Sequence, residues 1–213
     1  MQDPTAAHHK MSTLQMNTQR FHTALAAFDA LNSQDPTSVM VEGTAQSKAL
    51  VYAHRMSEML ARYAPDASEA LQLAARSQHI QRWKIPRSDY PMTKPGYLAW
   101  RTKLKSYHAE IATQVLTTHG YDATTISKVC ALLNKENLSS DPEMQTLEDV
   151  IVLAFLEHDL TEFAGMHPEY SEGKFVDILR KSYLKMSPKG REAALRLIKL
   201  PQDLVPLIQK AIG

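Results

Sequence analysis

Two groups of side chains in this sequence have types and spacings that could do chemistry. Residues 82–105 hold Arg82, Lys84, Arg87, Lys94, Arg101, Lys103 and Lys105 against one acid, Asp89, with Trp83, Tyr90, Tyr97 and Trp100 interleaved. Guanidinium groups and flat aromatic rings together suit an anionic, planar or phosphorylated partner. Residues 136–173 hold ten acids and no Lys or Arg. Carboxylates in the company of histidine suit a metal or acid–base chemistry. The formal net charge of +1 conceals this division.

Helical spacing puts several of these groups on core-facing stripes. One predicted helix carries the apolar series Tyr97, Trp100, Leu104, Ile111 and Val115. Arg101 lies three residues before Leu104 and His108 four after it, so both fall on or beside that stripe. A polar group there must find a partner or cost free energy. His108 is therefore either a core histidine bonded to a carbonyl or a ligand or acid–base group. The preceding helix repeats the pattern with Arg76, His79 and Trp83 at spacings of three and four. His54 follows Leu50 by four and points inward or sits on the rim. Further on, Glu148 and Asp149 precede the apolar run Val150–Leu156, and Asp149, Leu153 and Glu157 share one side. A carboxylate flanking a buried helix wants a cation, whether metal, histidine or an arginine such as Arg76 or Arg101.

The elements that must position these groups are helical. Alternating β-branched runs are absent and the chain has only seven glycines. The spacing predicts helices over about 18–31, 45–63, 67–83, 96–119, 123–135, 141–165, 174–186, 188–200 and 202–212. Asp66 is the expected cap of the third. The segment between residues 32 and 43 reads as a polar linker. The segment from Lys84 to Pro95 holds Pro86, Pro91 and Pro95, so it cannot be regular helix, and connections of that length in compact domains are often functional. Its basic groups bind an anion or pair with the acidic segment. The expectation is an all-α protein: a single helical bundle domain over 16–213, after a disordered tail over 1–15.

Composition narrows the classes. A near-neutral balance argues against a general duplex-DNA binder. The single cysteine, Cys130, excludes an intrachain disulfide and fits a reducing, cytoplasmic setting. No apolar run approaches the ~20 residues of a membrane span. No GxGxxG, P-loop, CxxC or HExxH motif is present.

Arg76-Ser77-Gln78-His79-Ile80-Gln81-Arg82-Trp83, Pro86-Arg87, Tyr90-Pro91, Gly96-Tyr97-Leu98, Trp100-Arg101 and His108-Ala109-Glu110 together resemble the motifs of an uncharacterised all-helical family of bacteria and fungi, domain of unknown function 4202. Gln145-Thr146-Leu147-Glu148-Asp149, Phe155-Leu156-Glu157 and Asp177-Ile178-Leu179-Arg180-Lys181 resemble it too, so the likeness spans about residues 45–200. It implies no activity. More loosely, the chain is similar to the HD superfamily of metal-dependent phosphohydrolases, which draw ligands from successive helices. His54, His79 and Asp149 fall in that order, with Ile80 where an Asp would follow the histidine.

The HD-like resemblance implies a phosphohydrolase acting on a nucleotide or other phosphorylated small molecule. His54, His79, His108 and Asp149 would hold a divalent metal (Mn, Fe, Zn or Ni), which generates the nucleophile by acidifying bound water. Arg76, Arg82, Arg87 and Arg101 would bind substrate with Trp83, Tyr90, Tyr97 and Trp100, and Glu148 or Glu157 would act as base. The alternative is a non-catalytic module that grips RNA or a nucleotide with the basic-aromatic segment 82–105 through stacking and arginines.

Overall fold

The computed structural model describes residues 4–137 and 140–212. Its helices are α1 (Pro4–Asn32), α2 (Lys48–Tyr63), α3 (Glu69–Ser77), α4 (Lys94–Thr118), α5 (Ala123–Asn134), α6 (Pro142–Ala154), α7 (Leu160–Met166), α8 (Glu172–Lys185), α9 (Pro188–Arg196) and α10 (Val205–Ile212). The protein is all-α apart from one hairpin, β1 (Ser38–Val41) and β2 (Thr44–Ser47). That hairpin occupies part of the expected linker. Ser38 pairs with Ser47 and Val41 with Thr44. Glu42 and Gly43 both turn with positive φ, the conformation that a two-residue hairpin loop requires. Four-residue strands are too short to show a period of two in the sequence. α1 takes in residues 4–15 of the segment expected as a tail.

Contacts gather the chain into two compact units where the sequence suggests one domain. The first comprises residues up to His54 together with Ser68–Asn134. The second comprises Arg55–Ala67 together with Lys135 onward. α2 contributes its first residues to one and its last to the other. In the first unit α1, α3, α4 and α5 pack on one another around Phe28, Leu71, Leu73, Leu104, Leu116 and Leu132. Burying each such side chain contributes about 1.5–3 kcal/mol.

Helix starts follow hydroxyl and carboxyl caps. Ser68, not Asp66, caps α3, its hydroxyl accepting from the Leu71 N–H, because Ala67 still belongs to a turn closed on Ala64. Thr93 caps α4 ahead of Pro95. α3 stops at Ser77, six residues before the expected end. Ser77 Oγ donates back to the Leu73 carbonyl, and Gln81 adopts a left-handed φ of 49°.

The second unit has a core of α6, α8, α9 and α10, centred on Leu147, Val150, Leu153, Leu179 and Ile208. The helix expected over 141–165 is broken by one π turn, Phe155–Asp159, between α6 and α7. Asp149 organises the start of α9. Its carboxylate, in a residue only 1% exposed, accepts from Tyr63 Oη at 2.6 Å, the Ser187 N–H at 2.8 Å, Ser187 Oγ at 2.5 Å and Gln145 Nε2 at 3.1 Å. Ser187 Oγ in turn accepts from the Gly190 N–H. Gly190 is pressed so closely on the carboxylate that a Cβ there would stand 2.6 Å from Asp149 Cγ and Oδ1.

Gly190→Ala is therefore expected to destabilise the protein by about 1–3 kcal/mol, the usual cost of overpacking. Gly173→Ala, where an added methyl meets nothing, should be neutral or slightly stabilising. Urea midpoints for the two variants check this; equal midpoints would mean that Asp149 moves aside freely.

Candidate functional site

Between α3 and α4 the chain leaves the helix, and its backbone groups are taken up by side chains. Asn32 Oδ1, at the end of α1 in a residue 1% exposed, accepts from the Gln81 N–H at 3.2 Å. His108 Nδ1, on α4, meets the Ile80 carbonyl at 2.8 Å. Trp100 Nε1 donates to the Ile85 carbonyl at 2.9 Å. Arg87 donates to the carbonyls of Tyr90 and Pro91 at 2.9 and 2.8 Å. Gly96 lets the chain pass, since a Cβ there would meet Pro91 O at 2.2 Å.

These anchors gather a cationic-aromatic cluster. The Arg82 guanidinium lies over the Trp100 ring, 4.5 Å from its centroid. Tyr97 is 5.9 Å from Trp100, and Arg101 Nη1 donates weakly to Tyr97 Oη at 3.5 Å. Burial, and next the neighbouring Arg101, push the Arg82 pKa down, with Tyr52 and Tyr97 acting in the opposite sense. His79 stacks on Tyr52 at 4.3 Å and lies 5.9 Å from the His108 ring. Among the described residues, none of the seven basic side chains of 82–105 makes an ion pair. The cluster is positive, with Tyr97 exposed and Trp100 nearly buried under Arg82.

His108 is 3% exposed and near enough for Arg82 and Arg101 to act on its charge. A carbonyl can only accept, so Nδ1 carries the proton toward Ile80. Burial, with Arg82 and Arg101 adding to it against the Ile80 carbonyl, lowers the pKa to about 4. The ring is thus neutral at pH 7 and Nε2 bears a bare lone pair. That atom is buried without a hydrogen-bond partner. Leaving a buried acceptor unpaired costs about 1–3 kcal/mol.

The other expected site residues have different employment. Arg76 is committed: Nε and Nη2 grip the two oxygens of Asp29 at 2.8 and 2.7 Å, and His54 Nε2 joins Asp29 at 3.2 Å. Arg87 holds its own loop. Trp83 is half-buried and Tyr90 offers its carbonyl to Arg87. In the second unit, Glu148 pairs with Lys135. Glu157, on the π turn, accepts from Arg62 at 2.7 and 3.3 Å and from the Lys199 N–H at 2.9 Å. Burial raises the Glu157 pKa, but Arg62 and Lys199 more than offset it and hold the carboxyl below its usual range. Neither glutamate is placed as a free base.

Three of the four residues expected to hold a metal are engaged with other partners. Among the described residues, no three His, Cys, Asp or Glu side chains are grouped so as to hold a metal ion. His54 faces Asp29, His108 spends Nδ1 on a carbonyl, and the Asp149 oxygens each accept two hydrogen bonds. A metal ligand needs a lone pair that Asp149 has already spent.

Sequence reasoning passes over Asp29, Asn32, Tyr52 and Gln81. The first two carried a signal. Asp29 follows Leu25 by four and Asn32 follows Phe28 by four, the same polar-in-stripe pattern that marks His108.

The chain belongs to the family described as Domain of unknown function (DUF4202), whose model matches residues 22–208. No curated protein and no solved structure matches it. No helix among the described residues is long and apolar enough to cross a membrane.

The unfolded chain protonates an ordinary histidine near pH 6.5, while the folded His108 resists protonation until pH falls to about 4. The unfolded state therefore holds the extra proton through that window, and stability falls as the pH drops from 6.5 toward 4. Between pH 7 and 4.5 the wild type should lose roughly 2–3 kcal/mol more than His108→Asn, which cannot titrate. Urea denaturation at the two pH values measures the difference; parallel losses would refute a neutral, buried ring.

Proposed function

We propose that the first unit is a non-catalytic nucleotide-binding module, acting in the cytoplasm, that holds a phosphate between Arg82 and Arg101 and a flat ring against the Trp100–Tyr97 wall. One observation carries this reading: Arg82 lies 4.5 Å over the Trp100 ring and Arg101 meets Tyr97, whose ring adjoins Trp100, while among the described residues no carboxylate is paired to either arginine. Like charges held together in a partly buried place are costly unless an anion joins them. Arginine offers phosphate two parallel hydrogen bonds, and its stacking on Trp100 fixes the fork's plane. The lone cysteine favours a reducing compartment. Metal-dependent hydrolysis is less well supported, because the residues expected as ligands have other partners.

Both tryptophans lie in or beside the cluster, so ligand binding should change intrinsic fluorescence. Titration with a nucleoside 5′-triphosphate is expected to quench it, to weaken as salt rises, and to survive excess chelator. Arg82→Ala and Arg101→Ala should each weaken binding tenfold or more while the fold persists, since charge-assisted hydrogen bonds contribute about 1.5–3 kcal/mol. Binding that vanishes with chelator would favour the metal reading. Absence of binding by nucleotides and by a single-stranded oligoribonucleotide would sink the proposal.

A further inference from the structure

Building on that nucleotide-binding reading, we infer that His108 Nε2 is a ligand-reading acceptor: the nucleoside part of the ligand presents an N–H or O–H donor to it, while the phosphate rests on Arg82 and Arg101. The geometry limits the atom to this role. The Ile80 carbonyl fixes the proton on Nδ1 at 2.8 Å, which leaves Nε2 an acceptor. It is sealed from solvent and has no partner. His79 and Tyr107 flank the ring at 5.9 and 6.1 Å between centroids, and His79 is itself stacked on Tyr52. A bare lone pair repels a phosphate oxygen, so it cannot complete the anion site. It selects instead for a ligand carrying a donor beside its phosphate, such as a sugar hydroxyl or a base amino group. Because Nε2 is covered, the donor reaches it through a side-chain rotamer change, an adjustment common at binding sites. A site built around an acceptor discriminates strongly against analogues that lack the donor, since the acceptor is then left unpaired.

The test uses the full chain with two probes. Pyrophosphate reads the arginines alone, and a nucleoside 5′-monophosphate reads both parts. In 15N-histidine-labelled wild-type protein, the unprotonated Nε2 resonance of His108 should shift on adding the nucleotide and stay put on adding pyrophosphate. His108→Asn retains an amide that can donate to Ile80 O and lacks Nε2. It should weaken nucleotide binding about tenfold and alter pyrophosphate binding less than twofold. The spectrum of the wild type decides the matter even if the variant folds poorly. Nucleotide binding with no change at Nε2, a proton found on Nε2, or equal losses for both probes would overturn the inference and leave the arginine site standing. Failure of both probes to bind would overturn the nucleotide-binding reading as well.

Discussion

The peptide groups between Gln78 and Thr93 are the constraint on which the first unit depends. A chain that leaves a helix exposes amides and carbonyls that must be paired or solvated. Two prolines, Pro86 and Pro91, rule out regular helix across this stretch. Four side chains complete the pairing: Asn32 at Gln81, His108 at Ile80, Trp100 at Ile85 and Arg87 at Tyr90 and Pro91. Each pairing also fixes the side chain that makes it. Trp100 is held by its indole N–H, so its face is available to Arg82. His108 is held by Nδ1, so its other nitrogen has one role left. The cluster is thus a by-product of satisfying a helix break.

The second unit handles its charges in the opposite way. Asp149, Glu148 and Glu157 are buried or half-covered, and each has its donors supplied by neighbours of the same unit. Buried carboxylates in that condition are structural: removing a partner is costly, and little capacity remains for a ligand. The acid-rich stretch of the sequence therefore explains the stability of its own unit.

The helical stripes were readable because period 3.6 decides which side chains face inward, and that placed Trp100, Leu104 and His108 on the buried side of their helix, while Tyr97, expected on the same stripe, is 43% exposed. What periodicity leaves open is the partner. Arg76 and Arg82 are six residues apart and look alike in the sequence, yet one is clamped by Asp29 and the other pairs with no acid among the described residues. The difference rests on α1, more than forty residues away, and no local pattern encodes it. The same limit applies to Asp149, whose partners Tyr63 and Ser187 stand 86 and 38 residues off. The metal quartet was inferred from residue type and order, which do not reveal that His54 meets Asp29, His108 the Ile80 carbonyl and Asp149 Ser187. The hairpin and the cap at Ser68 are local in origin, but rest on single turns too short to show a period.

The contrast between the two arginines argues for a ligand. Within one unit, the same fold neutralises Arg76 fully, using a carboxylate that reaches both of its nitrogens and also serves His54. A purely structural solution was therefore available to this architecture. At Arg82 no such partner is seen among the described residues: the guanidinium is half-buried and stacked on an indole, and Arg101 bears on it as a second positive charge. Stacking contributes on the order of 0.5–2 kcal/mol, which offsets only part of the cost of bringing two cations together away from water. An anion supplied from outside removes that imbalance, and the neutral nitrogen of His108 adds no charge of either sign. In the proposed reading the positive pair supplies attraction and the uncharged acceptor supplies choice, a division of labour that a site binding phosphate alone would not require.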